Sequence, residues 1–382
     1  MADLLDITAT LDPLGTPVEL TNVVDVNITV GRQAQIDNFA SARATVVIRY
    51  PSGYATPIAG VAIGTEIELT SVKLGTIGFA TELFYGVISN VIVQYGIPFA
   101  DNVGPADYLT IECETLFAKL ARTSGNGYVV AADDVAAQVA DVTAESGVSI
   151  GTHPLNVLST TTMSAATVDG SWANWLNQMA FSLAGRILEQ NDVVILTTAA
   201  PIFEITTVKL SDAPGPADAV YDQITFDSLG QNFYTQVTVT PVTVAAQVVE
   251  SGSAPFRNFT VDTYSPTTGK AQDLANYYLN NYKDPTLGIS SVHLTVGATR
   301  VIDFIYFALQ PVGTDAGFLG QGVQIPVVFR GTEYACIIEG AAFSGTPSQQ
   351  GITLYVSSAD LNAYLILNNG NFGKLDENKL GF

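Results

Sequence analysis

The chain is poor in charge, and poorest in positive charge. Of its 382 residues 13% are charged, with 15 Lys and Arg against 36 Asp and Glu, a net charge of −21. That balance excludes an adhesive nucleic-acid surface, since affinity for phosphates comes chiefly from the lysines and arginines that neutralise them. It favours solubility and weak nonspecific association instead. Cysteines and histidines number two each, Cys113, Cys336, His153 and His293, too few for a zinc-type cluster. Both cysteines lie in apolar β-like runs, LTIECETLF and YACIIEG, either as buried free thiols or as the ends of one long-range disulfide. No window reaches ~18 uninterrupted apolar residues, so no membrane insertion is expected. The opening MADLLDITATLDPLG lacks the basic region and apolar core of a signal peptide. A protein made and kept in a cytoplasm, or released by lysis, is the expectation.

Catalytic strings are missing too. There is no G-x-S-x-G to lift a nucleophilic serine on a strained turn, no G-x-x-x-x-G-K-[ST] phosphate cradle and no G-x-G-x-x-G run. Acid–base catalysis needs two carboxylates in a defined cleft, and among 36 acids spacing selects no pair. His153 precedes Pro154, and His293 alternates with apolar residues in SVHLTV as a strand residue does. The acidic loops at residues 101–107 (DNVGPAD) and 212–222 have oxygen ligands but not the ordered spacing of a calcium loop. No catalytic, cofactor-binding or metal-ligating residue is therefore assigned, and the chain is expected not to be an enzyme. Tyrosine is frequent, at 16, which suits strands as well as it suits a sugar platform.

What the sequence does contain is mostly β pattern. Its length suggests roughly two or three domains of ~100–200 residues. VELTNVVDVNITVGR, ARATVVIRY, GTEIELTSVKL, TELFYGVISNVIVQY and YLTIECETLF read as strands of an antiparallel barrel or sandwich. Glu66 and Glu68 alternate with Ile67 and Leu69, which buries one face and wets the other. Gly31, Gly53, Gly64 and Gly86 are candidate turn or bulge positions. Near Leu116 the period changes. LFAKLARTSG predicts a helical turn, and ADDVAAQVADVTAESG a helix with Val135, Val139 and Val142 on one face and Gly147 at its end.

Residues 169–197 follow as a capped helix and a hairpin. Ser171 or Asp169 supplies the cap, and Trp172, Trp175, Leu176, Met179, Ala180 and Leu183 recur at helical spacing. Gly185 ends the helix, and Asn191-Asp192 turns a hairpin. Both tryptophans of the chain sit here, and Trp172 or Trp175 is expected to pack on the Val135–Val142 helix. Beyond Phe203 strands return, a surface loop falls at SDAPGPAD, and TTGKAQDLANYYLNNY predicts a helix. A second β module follows, made of SVHLTV, VIDFIYFAL, VQIPVVFR, ACIIEGAAFSG and GITLYVSS. The fold class is thus mainly β with an α+β insert: residues 1–122 a first barrel, 123–200 the insert, and 246–382 a helix and second barrel. No tandem repeat of fixed period occurs, although the two β modules invite comparison as a duplicated fold.

Taken in order, several stretches resemble the tail-tip or baseplate hub proteins of long-tailed bacteriophages, of the minor tail protein type found in actinophages. These are VDVNITVGRQAQIDNFASARATVVIRYPSG, ELFYGVISNVIVQY with LTIECETLFAKLAR, the tryptophan helix with its hairpin, and AQDLANYYLNNYKDP with QGVQIPVVF, IIEGAAFSGTPSQQGITLYVSS and AYLILNNGNFGKLDENKLGF. A receptor-binding or lytic extension is absent, which speaks against host recognition or peptidoglycan cleavage. The resemblance implies two barrels related to the tail-tube fold, the first completed by residues 232–240 within 201–245. It implies a homotrimer, or a hexameric ring, at the virion tail tip, assembled in the host cytoplasm. Its partners would be the tail tube, distal tail, tape measure and tip proteins, with DNA passing through without specific binding. The alternatives are a tail protein that binds host-surface glycans and a distal tail ring protein.

Overall fold

The computed structural model describes residues 6–50, 60–72, 80–96, 107–153, 161–190, 192–204, 209–215, 218–227, 233–283, 288–296, 320–346 and 350–359. Gly53, most of the 101–107 loop, the run VIDFIYFAL and the ending AYLILNNGNFGKLDENKLGF lie outside the described residues.

The first part of the chain is all strand: β1 (Asp6–Leu11), β2 (Val18–Leu20), β3 (Val23–Gly31), β4 (Arg43–Tyr50), β5 (Glu66–Val72), β6 (Ala80–Gln94) and β7 (Asp107–Glu114). The insert holds α1 (Leu116–Arg122), β8 (Val129–Val130), β9 (Asp133–Asp134), α2 (Val135–Ser146), β10 (Ile150–Thr152), β11 (Thr162–Met163), β12 (Ala166–Thr167), α3 (Trp172–Ser182), β13 (Arg186–Gln190) and β14 (Val193–Thr197). Four short strands follow, β15 (Phe203–Glu204), β16 (Leu210–Ser211), β17 (Ala219–Val220) and β18 (Gln223–Asp227). Next come β19 (Gln236–Pro241), β20 (Gln247–Glu250), β21 (Asn258–Thr263) and α4 (Thr268–Tyr282). The last strands are β22 (Gly288–Val296), β23 (Val323–Phe329), β24 (Thr332–Gly345) and β25 (Gln350–Ser358).

Alternation builds the first barrel. In β7 every second side chain, from Leu109 through Ile111 to Cys113, is buried, and β3 and β4 repeat the pattern, so one face closes on apolar contacts and the other stays wet. Its ladder runs β3, β4, β7, β6, β5, β1, β2. The long apolar-in run VELTNVVDVNITVGR is not one strand, because Asn22 adopts φ 63° between β2 and β3. The strand that flanks β3 is β24, from Gly340 to Gly345. This corrects the expected completion by residues 232–240. Those residues enter a separate sheet ordered β20, β19, β21, whose buried Val237, Val239 and Val261 pack on α4 instead. Residues 203–227 go to the second barrel: β15 and β16 pair with β23, and β18 with β22.

The two barrels are continuous through β24. Along one edge its first half, Thr332–Ile337, pairs with β23 and its second half, Gly340–Gly345, with β3. Along the other edge β25 covers Cys336 to Gly345 without changing partner. A single antiparallel run therefore extends from β18 through β22, β25, β24, β3, β4, β7, β6 and β5 to β1 and β2. One buried cluster spans it, with Ile28, Val46 and Ile111 of the first barrel joined to Ile325, Ile338 and Leu354 of the second.

Around this sheet the helices form as their sequence signals require. Asp134 caps α2 by accepting from Ala137 N, and Gly147 takes φ 64° as its left-handed stop. Ser171 caps α3 by accepting from Asn174 N. Its expected stop at Gly185 is reached differently. Ala184 takes the positive φ of 48°, while at Gly185 a Cβ would run into the carbonyl of Thr197. Trp172 and Trp175 are buried in one cluster with Val135, Val139 and Val142, as expected, but that core also recruits Phe39 and Tyr264 from outside the insert. The helix read from TTGKAQDLANYYLNNY is α4, capped by Thr267.

Candidate functional site

Two features stand out: a buried charge cluster where barrels and insert meet, and the broad wet face of the continuous sheet. Glu339 sits near the middle of β24 and is 1% exposed. Arg186, at the start of β13, donates from Nη2 at 2.7 Å and from Nε at 3.1 and 3.2 Å. Arg32, just past β3, donates from Nε at 3.0 Å, and Ser357 Oγ of β25 donates at 2.6 Å. Arg186 Nη1 reaches main chain at Ala199 O, 2.7 Å away, and Arg32 Nη2, itself 3.0 Å from Glu339 Oε2, also donates to Gly185 O at 3.3 Å. Arg32 also lies 4.1 Å over the Phe39 ring. Burial alone would raise the Glu339 carboxyl, but Arg186 and Arg32 overcome it and hold the group down at about 2. A buried ion cluster of this kind is worth most as a register device, since removing one member strands the others.

Glycines let the backbones close up here. Gly31 has φ +73°, and a Cβ on it would meet the carbonyl of Glu339; a Cβ on Gly340 would stand 2.6 Å from the carbonyls of Arg32 and Val30. The ladder shifts register between Ile338 and Gly340, a bulge that aims Glu339 at both arginines.

A second buried carboxylate, Glu189, is three residues further along β13. It accepts from Ala42 N at 2.7 Å, Phe117 N at 3.2 Å and Thr115 Oγ1. Burial pushes its carboxyl up, against those three hydrogen bonds. The hairpin of the insert thus docks by two charged side chains, Arg186 on the barrel junction and Glu189 on the entry to β4 and α1. Alpha4 docks by hydroxyls: Gln35 Nε2 donates to Tyr277 OH at 2.6 Å, Tyr282 OH donates to Gln35 Oε1 at 3.3 Å, and Tyr278 OH donates to Phe181 O at 3.1 Å. Burial pushes the Tyr277 hydroxyl up to about 12.

The wet face carries one unbroken row of cross-strand partners. Gln223 faces His293, which faces Thr353, then Ala342, then Thr29. From Thr29 it continues to Arg43, Glu114, Val87 and Glu66. Neighbouring side chains bond across it, with His293 Nδ1 2.9 Å from Thr353 Oγ1, Asn90 Nδ2 donating to Glu112 Oε2 at 3.0 Å and Tyr85 OH donating to Glu66 Oε2 at 2.9 Å. Its chemistry is hydroxyl and amide, with carboxylates and the exposed Arg43 and Arg49 over the first barrel. Past Val87 the β5 side of β6 has no strand partner among the described residues. Ile92 and Tyr95 are 46% and 63% exposed there, an apolar edge open to another chain.

The residues weighed for chemistry are scattered. Cys113 and Cys336 are buried thiols, one in each barrel, and burial pushes the Cys113 thiol up to about 12. His153 is buried in the insert, its main-chain N–H donating to Leu196 O, whereas His293 lies on the wet face. Asp212 accepts from Arg330 N and Asp218 from Gly215 N, both as loop supports. Among the described residues no three His, Cys, Asp or Glu side chains gather as a metal site, and no helix is long and apolar enough to cross a membrane. What sequence reasoning missed was the Arg32–Glu339–Arg186 cluster. Its signal was Glu339 itself, a lone acid in the apolar run ACIIEGAAF, since a charge in a buried strand needs a partner.

No family model matches the chain, and no curated protein matches it in sequence. Solved structures do. A 43 kDa tail protein of prophage MuSo2 from Shewanella oneidensis is similar with a TM-score of 0.61 at 13% identity, over 94% of this chain and 98% of that one. A tail protein from Neisseria meningitidis MC58 is similar with a TM-score of 0.62 at 12% identity, over 93% and 97%. An E. coli type VI secretion component, itself structurally similar to the T4 bacteriophage tail proteins gp27 and gp5, gives 0.50 at 9% identity, over 92% and 76%. The chain has the fold of phage tail proteins, mainly β with an α+β insert, as the resemblance in its sequence implied.

Proposed function

We propose that the chain is a structural protein of a phage tail, forming the hub ring of the baseplate or tail tip around the DNA-exit channel. In that place it joins the tail tube to distal tip proteins and catalyses nothing. The observation that carries the reading is the fusion of two barrels into one sheet by β24, under a fold shared with phage tail proteins. One copy then supplies a stiff double-barrel arc, and a homotrimer closes the ring. The wet face from β18 to β5 is the channel wall in this reading. Its hydroxyls, amides and carboxylates outnumber the exposed Arg43 and Arg49 of β4, so DNA phosphates find little to adhere to, since adhesion comes from Lys and Arg. The β6 edge at Ile92 and Tyr95 meets the next copy, as unpaired strand edges do in closed assemblies.

Electron microscopy of the assembled particle tests this. Three-fold order about a central channel, with the β18–β5 face lining it, is the expected result. A protein that stays monomeric at high concentration and is missing from purified tail tips would overturn the reading.

A further inference from the structure

Away from the junction, the outer face of α3, the segment around Ile36 and Asn38, and strand β21 enclose a cavity of about 370 Å3. This is near the lower end of the ~300–1,000 Å3 usual for small-molecule sites. Its apolar lining is Ile36 and Val261, both buried, with Phe181 and Phe259 half-buried. Both phenylalanines are braced by Tyr278, at ring distances of 6.5 and 5.5 Å. Five exposed polar side chains, Asn38, Asp169, Asn174, Thr260 and Asp262, rise around that lining. The remaining amides are already fixed: Asn177 Oδ1 accepts from Phe39 N at 2.9 Å, and Gln178 Oε1 accepts from Tyr264 OH at 2.5 Å. One wall is a sheet edge. Gln236 N and Val242 N donate to the carbonyls of Arg257 and Thr263, so the odd-numbered residues of β21 face β19 and the backbone groups of Thr260 and Asp262 face the cavity side.

We infer that this cleft binds a neutral saccharide of about one or two rings. Planar amides and carboxylates take adjacent hydroxyls in pairs, while the phenylalanine and aliphatic lining meets the C–H face of a sugar ring. The lining contains no Lys or Arg, and Asp169 and Asp262 repel anionic glycans and phosphates. A wholly apolar ligand would leave the polar rim without partners. The fixed rings and amides keep the cleft shaped before a ligand arrives, which lowers the ordering cost of binding. This goes beyond the hub reading and does not depend on copy number.

The test is saturation-transfer NMR and calorimetry on the full chain, with chitobiose and cellobiose as neutral probes and a digalacturonate as the anionic comparator. Saturable binding of a neutral disaccharide is expected. Asn174→Ala and Asp262→Ala should each weaken it by about tenfold without moving the melting temperature. Absence of saturable binding by both neutral probes would overturn the inference. So would equal binding of the digalacturonate, or binding unchanged in both variants. Light scattering on the same samples reads the oligomeric state separately, so failure here is distinguishable from failure of the hub reading.

Discussion

The two barrels share one sheet but are assembled from differently spaced pieces of chain. The first takes β1 to β7 from a single stretch, residues 6–114, and only β24 comes from elsewhere. The second gathers β15 to β18 from residues 203–227 and β22 to β25 from residues 288–358, with β19–β21 and α4 between them. Neighbouring strands cost little loop-closure entropy to bring together, whereas the second barrel must close long loops before its ladder repays them. The first barrel is therefore the self-sufficient half. The second relies on β24 being held in register, which is what the buried charges around Glu339 do.

That contrast can be broken most severely at Glu339. Glu339→Ala leaves Arg32 and Arg186 buried without their carboxylate and should cost about 3–5 kcal/mol, measured by chemical denaturation. Hydrogen exchange should rise earlier in β23 and β25 than in β4 and β7; equal loss in both would deny the asymmetry. Acid probes the same site in the native chain. The Glu339 carboxyl is held at about 2 against an ordinary 4.5, so its contribution is present above pH 4.5 and is lost as pH falls toward 2, a change of about 3 kcal/mol. Glu189, pushed up by burial, works in the opposite sense and loses stability as pH rises. Melting curves between pH 7 and 3 should accordingly fall steeply in the native protein and flatten in Glu339→Gln.

A smaller effect, about 1–3 kcal/mol, is expected for Gly340→Ala, whose Cβ meets backbone at 2.6 Å. It should loosen the half of β24 that pairs with β3 and spare the half on β23, reversing the exchange order expected for Glu339→Ala. Least disruptive is Ile92→Lys on the open β6 edge. Unfolding should move by no more than about 0.5 kcal/mol, while light scattering should show the variant failing to form the oligomer proposed above.

Legibility followed the same contrast. The period-two runs of the first barrel, the cap of α3 and the glycine stop of α2 were readable, because alternation and capping are local chemistry. Pairing across 300 residues was not. Nothing near Gln236 announces that β19 joins β20 and β21 rather than β3, and two-residue strands such as β16 carry no period at all. The charge cluster lay between these extremes. Arg32 and Arg186 look like ordinary surface bases, while Glu339 amid apolar residues marked a buried partner without saying which.

The shared strand has a mechanical meaning as well. Two barrels joined by a flexible linker would pass any load between them through the linker alone. Here β24 is bonded to β23 in one half, to β3 in the other, and to β25 along its far edge. Pulling the barrels apart therefore means shearing many backbone hydrogen bonds at once, so strain applied to either barrel is felt by both as a single elastic body.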